Sequence, residues 1–165
     1  MSLKVFVGLG SNLGDREAYL RFALSRMGGL ARIRRTSSIY ETQPWGREDQ
    51  PDFLNAVCAI EPILADPEGC FRELKQIEQD AGRSTRERWG PRELDLDLLF
   101  WGGDMISTDT LSVPHPRIAE RRFVLVPLFE IAPDLMHPIN GLTVRQMLES
   151  CPDPGRVQLW GPLSP

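Results

Sequence analysis

"RELDLDLLFWGG", residues 92–103, decides how the chain is built. Leu94, Asp95, Leu96, Asp97 and Leu98 alternate apolar and acidic at a period of two. That period belongs to a strand, with the leucines on one face and both aspartates on the other. The strand is predicted over 94–101, and Gly102-Gly103-Asp104 turns it toward a short partner around 105–107. Working back, Pro67 suits the first turn of a helix that runs to about Asp80 and stops at Gly82. Before it lie strands at 53–61 and 33–40, and a helix capped by Asp15 and ended by Gly28-Gly29. The run 5–9 is a first strand. Downstream, short helices are expected over 117–132 and 144–151, then an irregular, proline-rich tail from about 152. Strand, helix, two strands, helix, strand is the split βαβ order. The fold class is therefore α+β with a ferredoxin-like core, a mainly antiparallel sheet carrying helices and mobile loops.

The chain of 165 residues is 41% hydrophobic and 25% charged, which suits one domain over 1–165. A domain of this size buries roughly 70% of its unfolded surface and needs no staple. A net charge of −4 gives no pull toward nucleic acid or an anionic membrane. Three scattered cysteines form neither a disulfide framework nor a zinc spacing, and with no signal or membrane-length segment the expectation is a soluble cytoplasmic protein.

Two carboxylates at a two-residue interval lie roughly 6.6 Å apart along a strand, close enough to share Mg²⁺ with phosphate oxygens. A solvated strand face would carry the same acids. The preceding loop tips the balance: residues 83–92 hold Arg83, Arg86, Arg88 and Arg92 against Glu87 alone, a local charge of +3. Arginine forks bind phosphate in a bidentate manner, so acids and arginines converging suit a metal-bound polyphosphate. Phe53 and Asn55 share one strand face, a ring and an amide suited to a flat heterocycle, and the loop carrying Trp45 and Gly46 is placed to close over it. "GLGSNLGD" (8–15) has its third glycine one position late for a dinucleotide fingerprint, so Gly8, Gly10 and Gly14 are read as allowing a tight strand-to-helix passage, and no P-loop is present. Neither His115 nor His137 has a second ligand at zinc spacing, and His137 reads as structural.

"GLGSNLGD", "YETQPWG", "DQPDFLNAV", "GRSTRERWGPRELDLDLLFWG" and "VPHPRIAERRFVLVPLFEIAP" together resemble the hydroxymethyldihydropterin pyrophosphokinase family, in order from about Val5 to Pro133. The resemblance implies transfer of the pyrophosphoryl group of ATP to the hydroxymethyl group of 6-hydroxymethyl-7,8-dihydropterin, with release of AMP. It implies that Asp95 and Asp97 hold two Mg²⁺ ions, with Arg83 and Arg92 beside them in catalysis. It places Glu78, Arg83, Arg86, Trp89, Arg92, Leu98, Ser112, His115 and Arg121 against ATP. The pterin would lie between Phe53 and Phe123, with Thr42, Asn55 and the backbone of Pro44 and Trp45 at its edge. Asn12 falls where the family's first loop closes on the site. Small-molecule substrates and a monomer follow as expectations. Three positions depart from the pattern: Phe53 where Tyr is frequent, Thr85 with Arg86 one step later where an arginine is usual, and Pro116 where some members place Tyr. A nucleotidyltransferase would use the same acids and arginines while keeping AMP on the acceptor, and a binding module would need no clustered carboxylates.

Overall fold

A computed structural model describes residues 3–44, 49–82 and 92–164. The elements run β1 (Val5–Ser11), α1 (Arg16–Met27), β2 (Ala31–Thr36), β3 (Ile39–Thr42), β4 (Phe53–Pro62), α2 (Pro67–Asp80), β5 (Asp95–Trp101), β6 (Ile106–Ser107), β7 (Ser112–Val113), α3 (Arg122–Ile131), α4 (Val144–Glu149) and β8 (Val157–Gly161). The sheet is ordered β5-β1-β4-β3-β8, with β2 pairing the far end of β4, and every pair is antiparallel. β1 lies between β4 and β5, the ferredoxin-like order.

The helix ends follow local chemistry. The Asp15 carboxylate accepts from the Ala18 N–H at 3.1 Å, and Pro67 opens α2, where its missing N–H costs nothing. α4 carries a capping box between Thr143 and Gln146.

Alternation along the strands divides the interior in two. Val5, Val7 and Leu9 of β1, Leu54 to Ile60 of β4 at even positions, and Leu96 and Leu98 of β5 pack against Leu20, Leu24 and Met27 of α1 and Leu74 and Ile77 of α2. Phe6, Val57, Ala59, Leu99 and Phe100 face the other way, against Val124, Leu125 and Leu128 of α3 and Val144 and Met147 of α4. A bulge in the β1–β5 ladder, where Phe6 pairs Phe100 but Val7 pairs Leu98, sets Leu99 and Phe100 together on this second face. His137 is buried there, its ring edge-to-face with Phe100, and its Nδ1 accepts from the Ile139 and Asn140 N–H groups. That is a structural histidine.

Three expectations need correction. The strand predicted over 33–40 is two strands, because Ser37 turns its hydroxyl onto the Val57 N–H and the Ser38 carbonyl and breaks the ladder. The segment after Gly102-Gly103 does not pair back onto β5: β6 pairs β7, in a hairpin closed by Thr108 and Leu111 and held by Glu68 of α2 through the Thr108 and Thr110 hydroxyls. The tail is not irregular throughout. β8 pairs antiparallel with the short β3, Trp160 donates to Glu17 at 3.0 Å beneath the Arg16 guanidinium, and Leu163 is buried. A Val-Gln-Leu-Trp run has strand propensity, and the open edge of β3 supplies its hydrogen bonds.

Candidate active site

A cavity of about 360 Å³ opens on the second face, at the end of the sheet where β4 begins and β5 emerges. Asp95 and Asp97 line it from β5, Thr42 from β3, Phe53 and Asn55 from β4, Arg92 from the segment before β5, His115 and Arg117 from the turn after β7, and Arg121 and Phe123 from the entry to α3. Asn55 and Asp95, 40 positions apart in the chain, thus meet because β4 and β5 both flank β1.

The floor between them is β1 itself. Gly8 pairs Asp97, and Gly10 pairs both Asp95 and Asn55. A Cβ at Gly10 would meet Asn55 Oδ1 at 2.7 Å, so this glycine leaves room for the amide to lie across the floor. Asn55 is 8% exposed, and its Nδ2 donates to Thr42 Oγ1 at 2.7 Å, leaving Oδ1 to present an acceptor. The Arg121 guanidinium lies 5.7 Å from the centre of the Phe123 ring. The cavity therefore has an aromatic–amide portion and an acid–cation portion.

Electrostatics in the second portion are tight. Burial, then the neighbouring Asp95 carboxylate, pushes the Asp97 acid up to about 7, against the opposing pull of Lys75 and Arg121. Burial, then the Arg121 charge, pulls His115 down to about 4, so its imidazole is neutral at pH 7. His115 Nδ1 accepts from the Arg117 N–H at 3.4 Å, which puts the ring proton on Nε2 as a donor. Burial likewise lowers Arg121 while Asp97 and Asp95 act to raise it. Two crowded carboxylates, one driven toward protonation, are an oxygen donor set that a hard divalent cation would satisfy. Among the described residues no group of three or more His, Cys, Asp or Glu side chains forms a fuller cage, so water and phosphate oxygens would complete the coordination.

Asn12, 1% exposed, ties together the segments that flank the cavity. Its Nδ2 donates to Gln50 Oε1 and the Pro51 carbonyl at 2.8 and 2.9 Å, and its Oδ1 accepts from the Arg92 N–H at 2.8 Å. Arg16 holds the Asp52 carbonyl at 3.0 Å, one residue before Phe53.

Not every candidate from the sequence lines the cavity. Leu98 points into the aliphatic core on the opposite face, Glu78 is buried against the outer edge of β5, Ser112 is exposed on the small hairpin, and Pro44 lies beyond the lining residue Gln43. Trp45, Arg83, Arg86 and Trp89 lie outside the described residues. Sequence reasoning passed over Arg117 and Lys75, and treated Gly8 and Gly10 only as turn glycines. Lys75 had one available signal, its i,i+3 spacing to Glu78 on a predicted helix.

A ferredoxin-like sheet with this cavity, taken with its relatives, defines a transferase of the kinase type. The model of the 7,8-dihydro-6-hydroxymethylpterin-pyrophosphokinase family matches residues 6–133, and the chain belongs to this family. It is a pyrophosphokinase of 6-hydroxymethyl-7,8-dihydropterin, an enzyme of folate synthesis. Among its relatives, the 2-amino-4-hydroxy-6-hydroxymethyldihydropteridine pyrophosphokinase of Methylorubrum extorquens is 43% identical over 157 residues, 94% of this chain and 97% of that one. The Aquifex aeolicus enzyme of the same name is 41% identical over 135 residues, 82% and 84% of the two chains. The solved structure of wild-type Plasmodium falciparum HPPK-DHPS with pteroate superposes with a TM-score of 0.74 at 17% identity, covering 90% of this chain and 42% of that longer one. That likeness speaks for the fold alone. Among the described residues no helix is long and apolar enough to cross a membrane.

Proposed function

We propose that ATP is the pyrophosphoryl donor and that Asp95 and Asp97 bind two Mg²⁺ ions with it. The observation that carries this is one cavity lined by both halves of the chemistry: Phe53, Asn55, Thr42 and Phe123 for a flat heterocycle, and Asp95, Asp97, Arg92, His115 and Arg121 for a polyphosphate. When bound, the cations neutralise charge on the phosphates and on the leaving nucleotide.

The chain's own residues position and polarise. The rings of Phe53 and Phe123 hold the pterin by stacking, and Asn55, aligned by Thr42, reads its edge. The hydroxymethyl oxygen then attacks the β-phosphorus, the bond to the oxygen bridging the α- and β-phosphorus breaks, AMP departs with that oxygen, and the hydroxyl proton passes to solvent. Arg92 and Arg121 stabilise charge on the transferred group, and neutral His115 donates from Nε2 to a phosphate oxygen. Glu78, Leu98 and Ser112, together with Arg83, Arg86 and Trp89, are assigned to the nucleotide on the family pattern. Thr42, Pro44 and Trp45 are assigned to the pterin edge. The enzyme acts as a cytoplasmic monomer of one domain over 1–165. Two of its three free cysteines are buried, in keeping with a reducing compartment.

The test is product identification by mass spectrometry after mixing the protein with MgATP and hydroxymethyldihydropterin. AMP and a pterin heavier by a diphosphate, both absent without Mg²⁺, are expected. Pyrophosphate with a nucleotidylated pterin would overturn the assignment.

A further inference from the structure

β5 is an outer strand: among the described residues β1 is the only strand that pairs with it, and further along the Leu99 carbonyl accepts from the His115 N–H. Leu96, opposite Leu9, turns its own N–H and C=O away from β1, toward the side where α2 lies. Among the described residues no strand meets those groups. A pair one helical turn apart on α2 does: Glu78 Oε2 accepts from the Leu96 N–H at 2.6 Å, Lys75 Nζ donates to the Leu96 carbonyl at 2.9 Å, and Nζ also donates to Glu78 Oε2 at 2.9 Å. The three bonds close a ring in which two side chains replace a neighbouring strand. The ring is held firmly, because Glu78 is 2% exposed and Leu74 and Ile77, between and beside the pair, are anchored in the aliphatic core. The Lys75 ammonium also lies 5.2 Å from the centre of the Phe71 ring.

Leu96 is the one residue between the two acids. Its N–H belongs to the peptide that joins it to Asp95, and its C=O to the peptide that joins it to Asp97. Fixing both groups fixes both peptide planes, and these set the directions in which the two carboxylates leave the strand. An edge strand without such a clamp is free to twist. We infer that Lys75 is a positioning residue of this pyrophosphokinase: with Glu78 it holds the Leu96 backbone so that Asp95 and Asp97 present a pre-aligned pair to a divalent cation. This rests on the assignment of the two aspartates to the metal.

The sign of the effect separates positioning from simple charge. An ammonium close to the acids repels an incoming cation, so on charge alone its removal tightens metal binding. Loss of alignment weakens it. Lys75→Met keeps the stem and the helix propensity while removing the donor. Mn²⁺ alone is titrated into the parent, Lys75→Met and Asp97→Asn proteins, following the electron paramagnetic resonance of the free ion. Amide hydrogen exchange is read at Leu96 and across β1 and β4. Lys75→Met is expected to bind Mn²⁺ about tenfold more weakly, the low end for a group that orients metal ligands. Its Leu96 amide should exchange at least about threefold faster, with β1 and β4 unchanged. Unchanged or tighter Mn²⁺ binding in Lys75→Met, with binding lost in Asp97→Asn, overturns the positioning role and leaves the metal assignment standing. Undiminished Mn²⁺ binding in Asp97→Asn overturns the metal assignment and this inference with it.

Discussion

The two faces of β5 are built from adjacent residues and do opposite work. Leu94, Leu96 and Leu98 are at most 2% exposed and pack with α1 and α2 into a continuous aliphatic layer. Asp95 and Asp97, one residue away in each case, are half-buried carboxylates that crowd each other at the wall of a cavity. One face gains free energy by leaving water. The other gives some up, because two like charges held together in a poorly solvated place disfavour the ionised fold. The strand can afford the second because of the first, and a period of two keeps the two separate.

Leu96→Ala should break the stabilising face, at a cost of about 2–5 kcal/mol from lost burial and a residual cavity. Urea unfolding would read this as a lower midpoint, with turnover per folded molecule much less affected. If stability were untouched, the aliphatic layer would not be what holds β5 in place. Asp97→Ala should do the reverse, lowering turnover by about 10²–10³-fold, equivalent to about 2.7–4 kcal/mol of transition-state stabilisation, with the fold intact. Near-normal turnover in that variant would remove the acid from the chemistry. Phe123→Ala sharpens the contrast within the cavity, since its ring faces the heterocycle portion and meets the polyphosphate portion only through the Arg121 guanidinium. Pterin binding should weaken by about 1–3 kcal/mol by analogy with base–aromatic stacking, while nucleotide affinity holds, as calorimetric titration of each ligand would show.

The smallest effect concerns pH, because solvent screens a half-buried carboxylate. Asp97 titrates near 7 in the fold and near 3.8 when unfolded, so the fold binds the extra proton between these values. Its contribution to stability is fully present below pH 4 and is lost as pH rises through 7. In chelator, Asp97→Asn should therefore flatten the decline in melting temperature between pH 5 and 8 relative to the parent. His115 slopes the other way: with its folded value near 4, its contribution is present above about 6.5 and is lost as pH falls toward 4. A parent and Asp97→Asn pair with identical slopes would show that the crowding of the two acids carries no energetic weight.

Much of the comparison was legible in residues 92–103, since alternation alone assigns Leu96 and Asp97 to opposite faces. The motifs that place Phe53, Asn55, His115, Arg121 and Phe123 beside Asp95 and Asp97 also pointed to residues that the cavity does bring together. Lys75 was not legible, because its role depends on which strand edge α2 covers. Gly10 was misjudged for a related reason: its missing side chain matters only once Asn55 of a distant strand lies against it. The tail strand at Val157–Gly161 escaped notice because surrounding prolines suggested irregular structure, whereas its hydrogen-bonding partner, β3, lies more than a hundred residues earlier.

By itself, then, the sequence determined the alternation of strands and helices from β1 to β5, apart from the break between β2 and β3, the two-faced character of β5 and the family to which the chain belongs. Those follow from local periodicity, from capping and turn chemistry and from motifs read in order. Tertiary structure alone decided that α3 and α4 cover the second face, that β1 runs between the two halves of the cavity as a glycine floor, and that Lys75 and Glu78 close the outer edge of β5. Each of these is a contact between segments far apart in the chain, set by which surfaces must leave water together and which backbone groups still need partners.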